Sequence, residues 1–401
     1  MSKLSKLPLP ARLSADKAKA AIKTAVAAGL VFAAGSLTVH AASQLRVETK
    51  EGPVKGFIAN NVAEYLGIPY AAPPVGNLRW RPPRKHEPWT KVLQATAFGP
   101  QCAQTADSPF SGPPVNNEDC LYINVFTPNL GAGNKSKVPV MFWSYGGGDT
   151  SGESNDYDGS KLAAQGHVVV VTFNYRLNLM GFLAHPALKK EGKLYANYGL
   201  LDNQFALKWV RRNIAAFGGD PNNVTIMGQS GGARNTGSEI LSPLAKGLFT
   251  RAILQSGAIP LETPLDLAEQ KAIAFAVAAG CGSGTDAKTA KCLRALTPAQ
   301  VESFAGGSGG NYTVGLIVDG TILPELAINQ YTKGNLTTSR SWTEIRQMKV
   351  ISSSLRSNTP NLRANHSPRT NSSITSIRRL LAMQVQVVRR RPIRRELLTR
   401  S

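Results

Sequence analysis

The sequence predicts an α/β fold in which helices cover both faces of a mostly parallel central sheet. Strand-like and helix-like segments alternate between residues 42 and 338, as in proteins with a parallel sheet. The run at 167–173 consists almost entirely of β-branched residues, which is typical of a strand buried on both faces. The segment 217–232 combines a strand-like run, a glycine-bounded turn and the start of a helix.

The first strand of the parallel series is predicted at 138–145, and it runs directly into Gly146, Gly147 and Gly148. Consecutive glycines after a strand allow several backbone N–H groups to point at one place, which an oxyanion hole requires. An ordinary glycine-rich loop is the alternative interpretation for this segment taken alone.

A Gly-x-Ser-x-Gly motif, with Ser230 between Gly228 and Gly232, ends the strand-like run of segment 217–232. The motif by itself is weak evidence, but the surrounding strand, turn and helix are the context of a nucleophile elbow. Because the turn is very tight, the two glycines are expected where a side chain would not fit. Ser230 is therefore the predicted nucleophile.

The remaining elements continue the alternation. Residues 202–210 have a helical period, and residues 248–257 are predicted to form the strand after the elbow. The loops at 106–117 and 303–311 are rich in Pro, Gly or Ser, and such loops commonly wall active sites.

These segments resemble the type-B carboxylesterases, the family that includes cholinesterases and bacterial para-nitrobenzyl esterases. The resemblance extends from about residue 47 to about residue 336. Six segments carry it: LGIPYAAPPVGNLRW at 66–80, EDCLYINVFTP at 118–128, YGGG at 145–148, NYRL at 174–177, NYGLLD at 197–202, and the serine signature at 217–232.

The resemblance implies an α/β-hydrolase fold and the hydrolysis of small carboxylic esters without a metal or other cofactor. Ser230 would be the nucleophile, and the N–H groups of Gly147, Gly148 and Gly231 would be the oxyanion donors. Most family members have alanine at the position of Gly231. A glycine still supplies the N–H group, but we expect it to make the turn less rigid.

The four cysteines resemble the disulfide pattern of the same family. It implies the pairs Cys102–Cys120 and Cys281–Cys292, although four cysteines allow three connectivities. Disulfides suit an oxidising compartment. A metal site is the weaker alternative, because the sequence contains neither a C-x-x-C nor an H-E-x-x-H motif.

The acid and the histidine of a catalytic triad are not assigned. Enzymes of this type place both after the serine, the acid first. Only His366 follows Ser230, and it lies in a segment that does not resemble folded protein. His86 is expected in an exposed loop, His167 at the start of a buried strand, and His185 in a structural role, so none is expected to act as the base.

The first 41 residues resemble a secretion signal. They contain six basic residues, an apolar stretch of 13 residues at 25–37, and a small-residue site ending at Ala41. We therefore expect cleavage after Ala41 and a secreted or periplasmic protein. The apolar stretch is shorter than the ~20 residues of a membrane span, so no stable span is expected. An amphipathic helix on the folded domain is the alternative.

Most of the net charge of +21 lies at the chain ends. Residues 340–401 hold fourteen basic and two acidic residues, whereas the 298 residues from 42 to 339 carry only +4. We accordingly expect a nearly neutral domain at 42–338 with no nucleic-acid partner, followed by a basic, disordered and non-native tail at 339–401.

A frameshift would explain the change of composition near residue 338. The family carries its acid in an Asp-Glu-Gly segment soon after the position of residues 329–331. Suitable codons for residues 347–353, read from the third base, spell Asp-Glu-Gly-Asn-Phe-Phe. We therefore hypothesise a frameshift between about residues 335 and 347, which would leave the C-terminal part of the fold missing.

Two other functions remain open at this point. One is a non-catalytic binding protein on the same fold, which would explain the missing acid and histidine but not the retained Ser230. The other is an interaction protein that binds polyanions through residues 340–401, and this binding would be sensitive to salt. Neither the ester nor the oligomeric state follows from the sequence.

Overall fold

A computed structural model of the chain describes residues 45–105, 114–130, 137–257, 262–304, 315–334, 336–337 and 343–346. The predicted signal peptide, His366, the hypothetical frameshift segment at 347–353 and nearly all of the predicted tail lie outside the described residues. Parts of both predicted loops, residues 106–113 and 305–311, also lie outside them.

An eight-stranded sheet forms the centre of the described structure. The described strands are β1 (Arg46–Glu48), β2 (Pro53–Lys55), β3 (Phe57–Ala59), β4 (Val62–Pro69), β5 (Leu93–Gln94), β6 (Tyr122–Thr127), β7 (Val138–Ser144), β8 (Val169–Phe173), β9 (Gly219–Gln229), β10 (Arg251–Gln255), β11 (Glu262–Pro264), β12 (Leu316–Val318) and β13 (Thr343–Arg346). The large sheet has the order β13-β10-β9-β7-β8-β6-β4-β3. A three-stranded sheet, β1-β2-β5, and the pair β11-β12 are separate from it.

The large sheet is parallel on the side that carries the site and antiparallel on the other. β10, β9, β7 and β8 pair with one another in parallel, whereas β6, β4 and β3 continue the sheet in antiparallel pairs. The parallel pairs bring the carboxyl ends of β7 and β9 to one edge, where Ser144 is opposite Gly228.

Helices connect the parallel strands. The described α-helices are α1 (Ser160–Gly166), α2 (Asn178–Phe182), α3 (Pro186–Lys189), α4 (Tyr198–Asn213), α5 (Gly231–Leu241), α6 (Leu265–Ala278), α7 (Ala287–Ala295), α8 (Pro298–Glu302) and α9 (Ala327–Lys333). None of these described helices combines the length and the apolar composition that a membrane span requires.

The two faces of β8 pack against different helices, as expected for a sheet covered on both sides. Successive side chains of a strand point to opposite faces. Val170 joins a cluster with Ala163 of α1, whereas Val171 joins the main core with Leu207 of α4. The predicted α/β fold with helices on both faces is therefore confirmed.

His167 does not start a buried strand, so that prediction is wrong. β8 begins two residues later, at Val169. His167 is exposed and ends α1 in the left-handed conformation, with φ of 48° and its N–H bonded to Ala163 O. The β-branched run conceals this boundary because Val168 extends the strand pattern into the turn, although Gly166 directly precedes His167.

A strand beyond residue 338 extends the sheet. β13 pairs in parallel with β10, Ala252 opposite Thr343 and Gln255 opposite Arg346. Because β10 would otherwise present unpaired backbone groups, a short extended segment is enough to satisfy them. The sheet thus continues past the end of the domain expected from the sequence and uses four residues of the segment 339–401.

Both disulfides implied by the family resemblance are present. Cys102 and Cys120 are bonded with Cα atoms 4.9 Å apart, and Cys281 and Cys292 with Cα atoms 5.6 Å apart. The first pair is buried beside β6, and the second ties the residues after α6 to α7.

Candidate active site

Ser230 occupies a strained turn between β9 and α5. Its φ of 54° and ψ of −117° are rare for a residue with a side chain, and such conformations cost on the order of 1–3 kcal/mol. The turn is held because the Ser230 N–H donates to Gln255 O of β10 at 2.9 Å. The Ser230 carbonyl accepts from the N–H groups of Ala233 and Arg234, both at 3.1 Å, so the turn leads directly into the helix.

Glycine is required on both sides of the serine. A Cβ atom on Gly228 would lie 2.2 Å from Gly232 O, and a Cβ atom on Gly232 would lie 2.0 Å from Ser144 O. Both obstacles are backbone atoms of packed elements, which cannot move as a flexible side chain can. The elbow is therefore possible only with glycine at these two positions.

The glycine loop after β7 is also shaped by steric limits. Gly147 has φ of 103° and Gly148 has φ of 69°, in the region that favours glycine. A Cβ atom on Gly147 would lie 2.0 Å from Ser151 O. The Gly147 carbonyl closes the loop by accepting from the N–H groups of Thr150 and Ser151, both at 3.1 Å.

Three N–H groups of the loop and the elbow, those of Gly147, Gly148 and Gly231, have no acceptor among the described residues. Neither Gly147 nor Gly148 donates its N–H to a described acceptor. Gly231 begins α5, and the first N–H groups of a helix have no acceptor within it. These donors and the positive end of the helix dipole can stabilise a negative charge that develops on a substrate oxygen.

Gly231 allows the elbow and the glycine loop to approach each other. A Cβ atom at this position would lie 2.8 Å from Gly148 N and 3.0 Å from Asp149 N. The sequence predicts a more flexible turn at this glycine. The structure shows that it also removes the side chain that would separate the two groups of donors.

Asp149 lies directly behind the glycine loop and was not singled out by the sequence. It is completely buried, which raises the pKa of its carboxyl group to about 6. Arg234 and a 2.9 Å hydrogen bond from Asn235 Nδ2 to Asp149 Oδ1 act in the opposite direction. The signal in the sequence is that Asp149 directly follows the glycine triplet and that Arg234 and Asn235 lie two and three residues after Gly232.

A second buried carboxyl group supports the loop from α8. The N–H of Asn178 donates to Asp149 O at 2.8 Å, and its Nδ2 donates to Thr150 O at 2.8 Å and to Glu302 Oε2 at 2.7 Å. Only 2% of Glu302 is exposed, and burial raises the pKa of its side chain to about 8. The glycine loop therefore rests on a polar network that reaches a distant helix.

Comparison with known proteins identifies the family. The model of the carboxylesterase family matches residues 43–379, which is most of the chain.

The chain belongs to the carboxylesterase family.

Individual relatives in this family support the same assignment. The para-nitrobenzyl esterase of Bacillus subtilis is 49% identical over 218 residues, which cover 53% of this chain and 43% of that protein. The fumonisin B1 esterase of Sphingopyxis macrogoltabida is 39% identical over 344 residues, which cover 81% of this chain and 59% of that protein. The chain thus spans about half the length of these two relatives.

Solved structures of carboxylesterases have the same fold. A structure titled PNB esterase superposes with a TM-score of 0.68 at 39% identity, covering 76% of this chain and 64% of that one. A carboxylesterase of Geobacillus stearothermophilus gives a TM-score of 0.66 at 37% identity, covering 75% and 61%. The α/β-hydrolase fold expected from the sequence is therefore confirmed.

The described part of this carboxylesterase-family chain brings no histidine into the site from the region after Ser230. His86 is partly exposed, and its ring packs edge-on against Trp89 at 5.6 Å. His185 is buried and accepts the N–H of Ala187 at the start of α3, and burial lowers its pKa. The surroundings of His185 are structural, as the sequence predicts, whereas His86, expected in an exposed loop, is only partly exposed.

The described residues contain no cluster of His, Cys, Asp or Glu side chains that could hold a metal ion.

Proposed function

We propose that this protein is a secreted serine carboxylesterase that hydrolyses small carboxylic esters through an acyl-enzyme on Ser230. The observation that carries the proposal is the contact between the strained serine turn and the glycine loop, with backbone donors that have no described acceptor. Donors of this kind, close together and without an acceptor in the described chain, are what an oxyanion hole requires.

In the proposed reaction, Ser230 Oγ attacks the ester carbonyl carbon and a tetrahedral intermediate forms. Its negative oxygen accepts hydrogen bonds from the N–H groups of Gly147, Gly148 and Gly231. Collapse of the intermediate releases the alcohol and leaves the acyl group on Ser230, and water then releases the acid. Backbone donors of this kind contribute on the order of 10²–10³ to the rate.

A general base is still needed to take the proton of Ser230. In enzymes of this type a histidine does so, oriented by a carboxyl group, and both follow the serine in the chain. Only His366 follows Ser230 in this sequence, outside the described residues. We therefore expect residues 1–401 to hydrolyse esters slowly. The rate should be about 10³–10⁴ times that of the uncatalysed reaction in water, which is the enhancement that remains when triad members are removed.

Trapping the acyl-enzyme tests this function directly. Protein mixed with 4-nitrophenyl butyrate and quenched in acid is digested and analysed by mass spectrometry. We expect the butyryl group on the peptide that contains Ser230, and none in the Ser230→Ala variant. Acylation that is spread over other serines, or that persists in the variant, would exclude Ser230 as the nucleophile.

We also propose export with cleavage after Ala41. Two disulfides among the described residues suit an oxidising compartment, and the signal-like composition of residues 1–41 supports the same conclusion. Mass spectrometry of exported protein should find Ala42 at the N-terminus. Retention of Met1 would contradict this proposal.

The non-catalytic binding protein and the polyanion-binding protein are less favoured. A binding protein has no need of the strained Ser230 turn, and the network around it consists of described residues that do not include the basic tail.

A further inference from the structure

Arg234 stands beside the glycine loop, one helical turn after the serine. One turn of α-helix is about 5.4 Å of rise, so residues four apart share a face. Arg234 Nη2 lies 3.7 Å from the point where a Cβ atom of Gly148 would stand, and 3.9 Å from Asp149 Oδ2. The guanidinium group is therefore next to the glycine loop, at ordinary contact distance from the Cβ position of Gly148.

The N–H groups of the Arg234 guanidinium are available to a ligand. Only 16% of the Arg234 side chain is exposed, yet it donates no hydrogen bond to a described residue. Asp149 is its described charge partner, and 3.9 Å is longer than a hydrogen bond. The carboxylate uses its other oxygen for Asn235. Asp149 thus attracts the guanidinium group of Arg234 but accepts no hydrogen bond from its five N–H groups.

The chemistry of this position favours an anionic ligand with two oxygens. A guanidinium group matches a carboxylate with two parallel hydrogen bonds. The N-terminus of α5 adds partial positive charge on the same side, because Arg234 lies in the first turn of this eleven-residue helix. A ligand held by Arg234 would lie within a few bonds of an ester carbonyl placed at the N–H groups of Gly148 and Gly231.

We propose that Arg234 is a specificity-determining residue that binds a free carboxylate of the substrate, so that the preferred esters carry a carboxylate near the scissile bond. This inference rests on the proposed function, since it assumes that the ester binds at Ser230. The carboxylate belongs to the acyl part in a half-ester of a dicarboxylic acid, and to the alcohol part in an ester of a hydroxy acid.

Binding is measured in a protein that cannot turn over, the Ser230→Ala variant of the full chain. Three ligands are titrated: mono(4-nitrophenyl) glutarate with the carboxylate on the acyl part, 4-(butyryloxy)benzoate with the carboxylate on the alcohol part, and neutral 4-nitrophenyl valerate. We expect one of the two anionic esters to bind on the order of tenfold more tightly than the neutral ester, as hydrogen bonds to charged groups imply. The better anionic ester identifies the part of the substrate that Arg234 contacts.

Substitution of Arg234 in the same background gives the decisive comparison. In Ser230→Ala/Arg234→Met the ratio of the two dissociation constants, neutral over anionic, should fall from about ten to about one. Arg234→Lys should give an intermediate ratio, because lysine keeps the charge but not the paired donors. Arg251→Met is the matched control, since Arg251 is exposed and begins β10, at the opposite edge of the sheet from the site.

The outcomes separate this inference from the proposed function. A ratio that does not change in Arg234→Met, or equal affinity losses for charged and neutral esters, overturns the carboxylate role and leaves Arg234 as a support for Asp149. The ratio could instead fall as expected while the protein with Ser230 intact is acylated by none of the esters. The carboxylate site would then be supported and the esterase function rejected.

Discussion

The proposed nucleophile, Ser230, and the glycine loop are held by backbone contacts, whereas the base and acid of a triad would have to be side chains from later segments. The first region lies within the described residues: Gly232 packs against the backbone of Ser144, and Gly231 packs against the backbone of Gly148. The second region has no histidine among the described residues after Ser230. A short sequence can thus encode the electrostatic half of a hydrolase site, because that half needs glycines and strand ends rather than distant side chains.

The largest effect is expected where the two backbone segments touch. In Gly232→Ala the new Cβ atom would lie 2.0 Å from Ser144 O, so β7 and the elbow must separate. We expect a loss of about 4 kcal/mol or more of unfolding free energy, the range of severe core disruption. Urea denaturation followed by circular dichroism measures it.

Gly192→Ala is the control for this substitution, because no atom lies within 4 Å of its Cβ position. It should change stability by about 0.5 kcal/mol or less. If Gly232→Ala were equally mild, the close contact between the elbow and β7 would be wrong.

Removal of the two disulfides should destabilise the protein to different extents, more for the buried pair than for the exposed pair. Cys102 and Cys120 are almost fully buried, whereas Cys281 and Cys292 are partly exposed. Closing a loop of this size in the unfolded chain stabilises the folded protein by about 3 kcal/mol. Removal of the buried pair would also cost packing contacts in the core. We expect the double alanine variant of the buried pair to lower the melting temperature more than that of the exposed pair. The reverse order would show that the helical segments around α6 and α7 depend more on their crosslink.

A pH-dependent effect is expected from the carboxyl group beneath the loop. Burial raises the pKa of Glu302 to about 8 from 4.5, so the folded state binds one more proton than the unfolded state between these values. Stability should therefore fall as pH rises from about 4.5 to 8 and level off above that, by about 1.4 kcal/mol per pH unit from this group. Glu302→Gln should remove this contribution.

Urea denaturation at several pH values measures that slope. Glu87→Gln, at an exposed position, is the control and should leave the slope as it is in the native protein. An unchanged slope in Glu302→Gln would mean that Glu302 is ionised in the folded protein.

The sequence predicts the parts of the site that depend on local backbone geometry. The elbow, the glycine loop and the alternation of strands and helices all follow from short patterns. Asp149, Arg234 and the contact between Asn178 and Glu302 do not, because they depend on which residues meet across β7, β9 and α8. Residues 178 and 302 are 124 positions apart, and no periodicity relates them.

The ends of secondary-structure elements are also poorly predicted from the sequence. The sequence assigns His167 to a strand because the run that follows it is β-branched, whereas the structure places it at the end of α1. β13 lies beyond the expected end of the domain because an edge strand accepts almost any short extended segment. In the first case the local pattern predicts the strand but not its first residue, and in the second no pattern predicts the strand at all.

The central claim is that this chain holds Ser230 beside its proposed oxyanion donors but has no base that activates it. The rate at which a fluorophosphonate labels Ser230 tests this claim most directly. The label reports the reactivity of the hydroxyl group and needs no substrate specificity, and Ser230→Ala gives the background. In the chain of residues 1–401 we expect labelling confined to Ser230 and much slower than in fully active serine hydrolases. Labelling at the rate of an active hydrolase would contradict this expectation, because it would require a base that activates Ser230.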